Sequence, residues 1–194
     1  IQDTVHTAIM MAILSGLFLV VLGESASKPM LTLMGTPDDV LDQAALYLRI
    51  YFFGMPVLMI YNFGAALLRA VGDTRRPLYF LFAAGAVNVV LNLFFVIQLG
   101  MGVDGVAWAT VISECVSAGL IIRSLMKENG AMKLHLTKLR IVSGKLTQIV
   151  RVGLPAGMQG AIFSISNVLI QSSVNSFGSI AMAGNTASSN IEGF

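Results

Sequence analysis

The stretch Pro77-Leu78-Tyr79-Phe80-Leu81-Phe82-Ala83-Ala84-Gly85-Ala86-Val87-Asn88-Val89-Val90-Leu91-Asn92-Leu93-Phe94-Phe95-Val96-Ile97-Gln98-Leu99-Gly100-Met101-Gly102-Val103 decides the fold. It runs for 27 residues, from Arg76 to Asp104, without a charged side chain. A helix needs roughly 20 mostly apolar residues to cross about 30 Å of hydrocarbon, so this segment is long enough to span a bilayer. Strands of a membrane β-barrel would show short alternating segments instead.

Working outward, four more such runs appear. One lies between Asp3 and Glu24, one between Arg49 and Arg69, and one from Gly105 to Ile122, interrupted only by Glu114. The last begins after Arg151 and stays uncharged until Glu192. It is too long for one helix, and it turns polar at Gln171, Ser172, Ser173 and Asn175. One span over about Leu154 to Phe177 is predicted, then a turn near Gly178 and a further helix from near Ala181. The run after Asp3 exceeds a signal-peptide core and leads to no small-residue cleavage site followed by soluble sequence. Hydrophobic residues make up 56% of the 194 and charged residues 11%, a balance that rules out water as the main solvent. The fold class expected is all-α, a polytopic membrane helix bundle.

Charge distribution sets the orientation. Alternating the loops places Arg69, Arg75, Arg76, Arg123, Lys127, Lys133, Lys138, Arg140, Lys145 and Arg151 on one side, and only Lys28 and Arg49 on the other. Basic loops stay cytoplasmic, so residues 69–77 and 123–151 are assigned to the inside, as is the chain start. The segment from Glu24 to Tyr47 falls outside. There Gly35, Thr36, Pro37, Asp38 and Asp39 carry a helix start signal that opens an extension of the second span. The basic stretch from Arg123 to Arg151 reads either as a topology determinant and linker, the preferred reading, or as a patch for nucleic acid or lipid headgroups.

Polar groups inside spans are costly and face a bundle interior or a cavity. Asn88 and Asn92 are four apart and share a helix face; they serve either a bound polar group or ion, or hydrogen bonding to another helix. Glu114 is the only carboxylate well inside a span. Hydrocarbon disfavours its charge, so it either faces the interior and exchanges a proton or attracts a cation, or stays neutral and hydrogen-bonded to a neighbour. In the fifth span Gln159, Ser166, Asn167 and Gln171 form a polar stripe suited to a cavity wall or to a packed interface. His6 and His135 are read as solvated or structural. Cys115 is read as a small buried apolar side chain, and as the single cysteine it excludes an internal disulfide. Pro56, Pro77 and Pro155 fall at span ends or interiors, where bending helices can serve alternating access. No phosphate-binding G-x-x-x-x-G-K-[ST] loop, H-E-x-x-H helix or nucleophile with its base occurs, so neither ATP hydrolysis nor proteolysis is expected.

Four segments carry a family resemblance. Arg69-Ala70-Val71-Gly72-Asp73-Thr74-Arg75-Arg76-Pro77 resembles the cytoplasmic turn of MATE (multidrug and toxic compound extrusion) transporters. Asn88-Val89-Val90-Leu91-Asn92 and Gly102-Val103-Asp104-Gly105-Val106-Ala107-Trp108-Ala109-Thr110 are similar to two later segments of that family, and Gly153-Leu154-Pro155 to its entry into the seventh helix. The resemblance implies that the chain is an internal piece of a twelve-helix, two-lobe transporter: helices three to seven and the start of the eighth. Residues 1–123 would belong to the N-terminal lobe with four membrane helices, 124–152 to a basic cytoplasmic linker, and 153–194 to the start of the C-terminal lobe.

It further implies a secondary active multidrug exporter, not an enzyme, that moves small organic cations by antiport with Na⁺ or H⁺ across the cell membrane, the cytoplasmic membrane if the source is bacterial. Carried over as ion-coupling candidates are Asn88, Asn92 and Thr110, with Asn92 standing where some members have Asp. Without that carboxylate the site takes up no proton there and holds Na⁺ less strongly. Glu114 joins them on its own chemistry, and Gln159, Asn167 and Gln171 are the substrate-cavity candidates. Beyond the coupling ion, no cofactor, resident metal, nucleic acid or obligate protein partner is expected; membrane lipid is. The alternatives are a flippase for lipid-linked sugars and a membrane scaffold without transport. A flippase would need Arg or Lys lining its cavity for the phosphates, and the five spans contain none.

Overall fold

In the computed structural model, which describes residues 1–33 and 38–175, the apolar runs are helices. In chain order these are α1 (Gln2–Leu33), α2 (Asp38–Phe53), α3 (Met55–Ala70), α4 (Arg75–Leu93), α5 (Val103–Lys127) and α6 (Ser143–Asn175). A π-turn, Phe94–Gln98, prolongs α4, and 3₁₀ turns at Gly130–Met132 and Leu136–Lys138 follow α5. Among the described residues four helices are long and apolar enough to cross a membrane; the bent pair Leu41–Phe53 and Met55–Ala70 makes a fifth span when counted as one. The turn near Gly178 and the helix from Ala181 lie outside the described residues.

Helix boundaries differ from hydropathy boundaries for a physical reason. The first span was expected to end at Glu24, but α1 continues to Leu33. Charge ends a hydrocarbon crossing without ending a helix. Ser25, Ser27 and Thr32 return their hydroxyls to carbonyls one turn back, while Glu24 pairs with Arg49 at 3.8 Å and Lys28 with Asp42 at 2.8 Å. In the same way α5 runs past Ile122 to Lys127, and α6 opens at Ser143, inside the stretch expected to be linker.

The second span is broken at Gly54 by a bend of 47°. Pro56 has no N–H to continue the helical ladder, and the Gly54 N–H is shared between the carbonyls of Ile50 at 3.2 Å and Tyr51 at 3.0 Å.

Small residues let the helices approach closely. A methyl group at Gly16 of α1 would sit 2.3 Å from the Pro56 Cα of α3, and one at Gly64 of α3 would sit 2.1 Å from Ile121 of α5. Around these contacts Val5 and Ile9 of α1, Tyr61, Ala65 and Leu68 of α3, and Ala118, Ile121 and Leu125 of α5 form the main core. A smaller cluster, Ile50, Ala107 and Val111, joins α2 to α5. α4 packs chiefly against α5 and leaves Leu78, Leu81, Phe82, Val89 and Val90 exposed.

The ends of these helices with the basic residues are tied by polar contacts. Between α3 and α4, Gly72 adopts φ +89°, a left-handed position that glycine occupies without strain. Asp73 accepts the Arg76 N–H at 3.1 Å, and the Arg76 guanidinium reaches Asp73, Glu128 and, at 3.0 Å, the Ser124 hydroxyl at the end of α5. The Tyr61 hydroxyl donates to the Pro77 carbonyl at 3.0 Å. Hydrogen bonds from Arg76, the backbone one foremost, hold the Asp73 carboxyl below its ordinary value of 3.8.

The segment after α5 folds back on α1. Leu134 is buried, and its N–H bonds to the Leu125 carbonyl at 3.0 Å. His6 donates from Nδ1 to the Gln2 carbonyl at 2.7 Å and accepts the His135 N–H on Nε2 at 3.2 Å, with the two rings stacked. Thr7 accepts the Val142 N–H at 3.2 Å, and Arg140 pairs with Asp3 at 2.5 Å. His6 is therefore structural and buried, not solvated. Cys115, expected to be buried, is exposed, because it lies on a face of α5 that other described helices leave uncovered. The chain divides into two compact units, Ile1–Leu146 and Thr147–Phe194, with the division inside α6.

Two consequences can be measured on the full-length protein. Gly16→Ala should cost about 1–3 kcal/mol of thermal or denaturant stability in detergent, because a methyl group must displace backbone of α3. The depressed Asp73 value adds stability that is fully present above pH 3.8 and is lost as pH falls through the lower folded value. Asp73→Asn should remove this part of the acid sensitivity, read as a smaller wild-type-minus-variant difference in melting temperature below about pH 4.

Candidate functional site

Polar side chains meet between α4 and α5 at membrane depth. Asn88 and Asn92 lie one turn apart on α4, so the Asn92 amide reaches back and donates to Asn88 Oδ1 at 3.0 Å. Asn88 in turn donates to Thr110 Oγ1 at 3.5 Å and Ser113 Oγ at 3.4 Å on α5. Both hydroxyls are held in place by their own helix: Thr110 donates to the Val106 carbonyl at 3.0 Å and Ser113 to the Thr110 carbonyl at 2.7 Å. One atom is left over. Asn92 Oδ1 is buried and has no hydrogen-bond partner among the described residues, a position that costs free energy unless a donor or cation meets it.

The structure thus brings Asn88, Asn92 and Thr110 together and adds Ser113, which the sequence reading did not single out. The signal was available, since Ser113 lies three residues beyond Thr110 on the same face of α5. Glu114 is directed elsewhere. Its carboxylate lies against the break between α2 and α3, where a methyl group built on Gly54 would sit 3.2 Å from Glu114 Oε2 and 2.9 Å from Val111. Tyr51 lies close by. Among the described residues the Glu114 carboxylate has no ion pair and no hydrogen-bond donor. No group of three His, Cys, Asp or Glu side chains suited to a metal occurs among the described residues.

The candidates on α6 fall in the second unit. Gln159 and Asn167 are exposed there, and Ser166 returns its hydroxyl to the Ile162 carbonyl at 2.9 Å, so its polarity is spent within its own helix. Gln171 occupies a helical position.

A bundle of apolar helices with a shared amide and hydroxyl cluster at its depth defines an all-α, multi-pass protein of the cell membrane. The chain belongs to the MatE family, whose model matches residues 1–119. It is 32% identical over 192 residues to "Probable multidrug resistance protein YoeA" of Bacillus subtilis, covering 94% of this chain and 41% of that protein. It is 26% identical to "FAD transporter" of Shewanella oneidensis, covering 96% of this chain and 42% of that one. Among solved structures, "Crystal structure of MATE in the bent conformation" superposes with a TM-score of 0.83 at 26% identity, over 97% of this chain and 43% of that chain. The chain therefore spans about two fifths of the length of the relatives it matches.

The cluster predicts an order of severity among its variants. Asn88→Leu removes its bonds to Thr110, Ser113 and Asn92 together and should cost about 1–2 kcal/mol. Thr110→Val should cost less, because Asn88 keeps Ser113 as a partner. Melting temperatures of the two variants, measured in the same detergent, test that order.

Proposed function

We propose that this chain is part of a secondary active exporter that carries small organic cations outward in exchange for inward Na⁺ or H⁺. The observation that carries the reading is the buried, unmatched Asn92 Oδ1 within the Asn88, Thr110 and Ser113 cluster. A neutral oxygen without a donor is complementary to a cation. Because position 92 is Asn, the cluster offers dipoles and no proton acceptor of carboxylate strength. Proton exchange then falls to Glu114, whose carboxylate lies within an apolar span without a counter-ion among the described residues.

Transport by two six-helix halves closing alternately around a central cavity fits a chain that holds part of such a bundle. A cargo of cations agrees with spans free of Arg and Lys and with the multidrug names of several relatives. Gln159, Asn167 and Gln171 supply hydrogen-bonding groups to such a cavity. An anionic cargo, as the name of the Shewanella relative gives for that protein, would need basic groups from outside the spans of this chain.

The test is uptake of a cationic dye such as ethidium into inverted vesicles containing the full-length protein, with Na⁺ and pH gradients imposed separately. Uptake driven by either gradient is expected and names the coupling ion; absence of uptake under both, with folded protein present, overturns the exporter reading. Glu114→Gln should lower the uptake driven by the pH gradient, and unchanged uptake at equal expression would remove Glu114 from the mechanism. Asn92→Asp should strengthen Na⁺ dependence by restoring a carboxylate beside Asn88.

A further inference from the structure

A groove of about 330 Å³ lies between the first turns of α4 and the last turns of α5. Its floor is apolar, made by Phe80 of α4 and Leu120 of α5. Beside the floor Arg76 holds Glu128 and Ser124, so the groove's carboxylate is already neutralised. On its rim stand Arg123 and Lys127, four residues apart on one face of α5 and both exposed. Among the described residues neither has an ion pair or a hydrogen-bonded side-chain partner.

Position gives these two cations a specific meaning. Arg123 directly follows the apolar part of α5 and Lys127 closes the helix little more than a turn later, the place where a membrane helix emerges among headgroups. Unpaired basic side chains there attract anionic lipid, and an apolar groove beneath them accepts an acyl chain without desolvating any polar group.

We propose that this groove binds an anionic phospholipid, with its phosphate held between Arg123 and Lys127 and the upper part of one acyl chain lying along Phe80 and Leu120. An inorganic anion would match the rim and leave the floor unused; a zwitterionic lipid would match the floor and leave the surplus positive charge unanswered. The occupant that satisfies both is a phospholipid of net negative charge. It would sit beside the contacts of Arg76 with Asp73 and Glu128, which join α4 to α5 at this end. The inference is independent of the exporter reading.

The experiment is native mass spectrometry of the full-length protein in detergent, titrated with dioleoylphosphatidylglycerol, dioleoylphosphatidylcholine or inorganic phosphate. The glycerol lipid is expected to be retained in preference to the choline lipid, and phosphate is expected not to displace it. At about 1 kcal/mol per basic side chain near a headgroup, R123Q should reduce that preference about five-fold, and R123Q/K127Q on the order of thirty-fold. Equal retention of the two lipids, displacement by phosphate, or an undiminished preference in the double variant would overturn the proposal. Should the double variant not fold, a photoactivatable diazirine phosphatidylglycerol applied to the unaltered protein decides it. Labelling of the peptides bearing Phe80 and Leu120 is expected, and labelling confined to other peptides overturns the assignment.

Discussion

Inside a bilayer there is no water to receive a hydrogen bond, and each unsatisfied polar group there costs several kcal/mol. This constraint organises the molecule at every level. It makes the backbone helical over each apolar run, and it returns the hydroxyls of Ser15, Thr110 and Ser113 to carbonyls of their own helices. It also makes exceptions informative. Asn92 Oδ1 is buried without a partner among the described residues, and the half-buried Glu114 carboxylate has no donor among them; both lie within apolar spans.

With no hydrophobic force between helices in lipid, close packing has to hold the bundle together. Gly16 against Pro56 and Gly64 against Ile121 let α1, α3 and α5 come near enough for Val5, Ile9, Leu68, Ile121 and Leu125 to interlock. The break at Gly54 belongs to the same packing. A side chain at Gly54 would crowd Val111 and Glu114 of α5, so the bend of the second span and the setting of the half-buried acid are linked in one place. Near the ends with the basic residues, where water returns, charge takes over: Arg76 gathers Asp73, Ser124 and Glu128, and Arg140 meets Asp3.

Much of the candidate site was legible in residue spacing. Asn88 and Asn92 had to share a face, and the family resemblance brought Thr110 to them; the structure finds the three in one hydrogen-bonded cluster. Glu114 was equally visible as a costly residue, but its neighbour was not. One turn from Thr110 on α5, it was grouped with the amides, yet α5 packs against α4 on one side and against the α2–α3 break on another, and Glu114 takes the second. His6 shows the same limit. Its place near a span end left a solvated or a structural role open, and the return of residues 134–142 over α1 decides for the structural one.

What the sequence determined by itself is the set of membrane helices, the asymmetry of charge between their two ends and the family, because hydrocarbon reads composition over each stretch of about 20 residues without regard to neighbours. What only the tertiary structure decided is which polar atoms find partners. That covers the Asn92 oxygen and the two cations above an apolar groove, which find no partner among the described residues, the setting of Glu114 and the part of Ser113. These depend on contacts between residues distant in the chain, and the rotation of each helix about its axis, which sets those contacts, follows from packing against neighbours and leaves little mark on local composition.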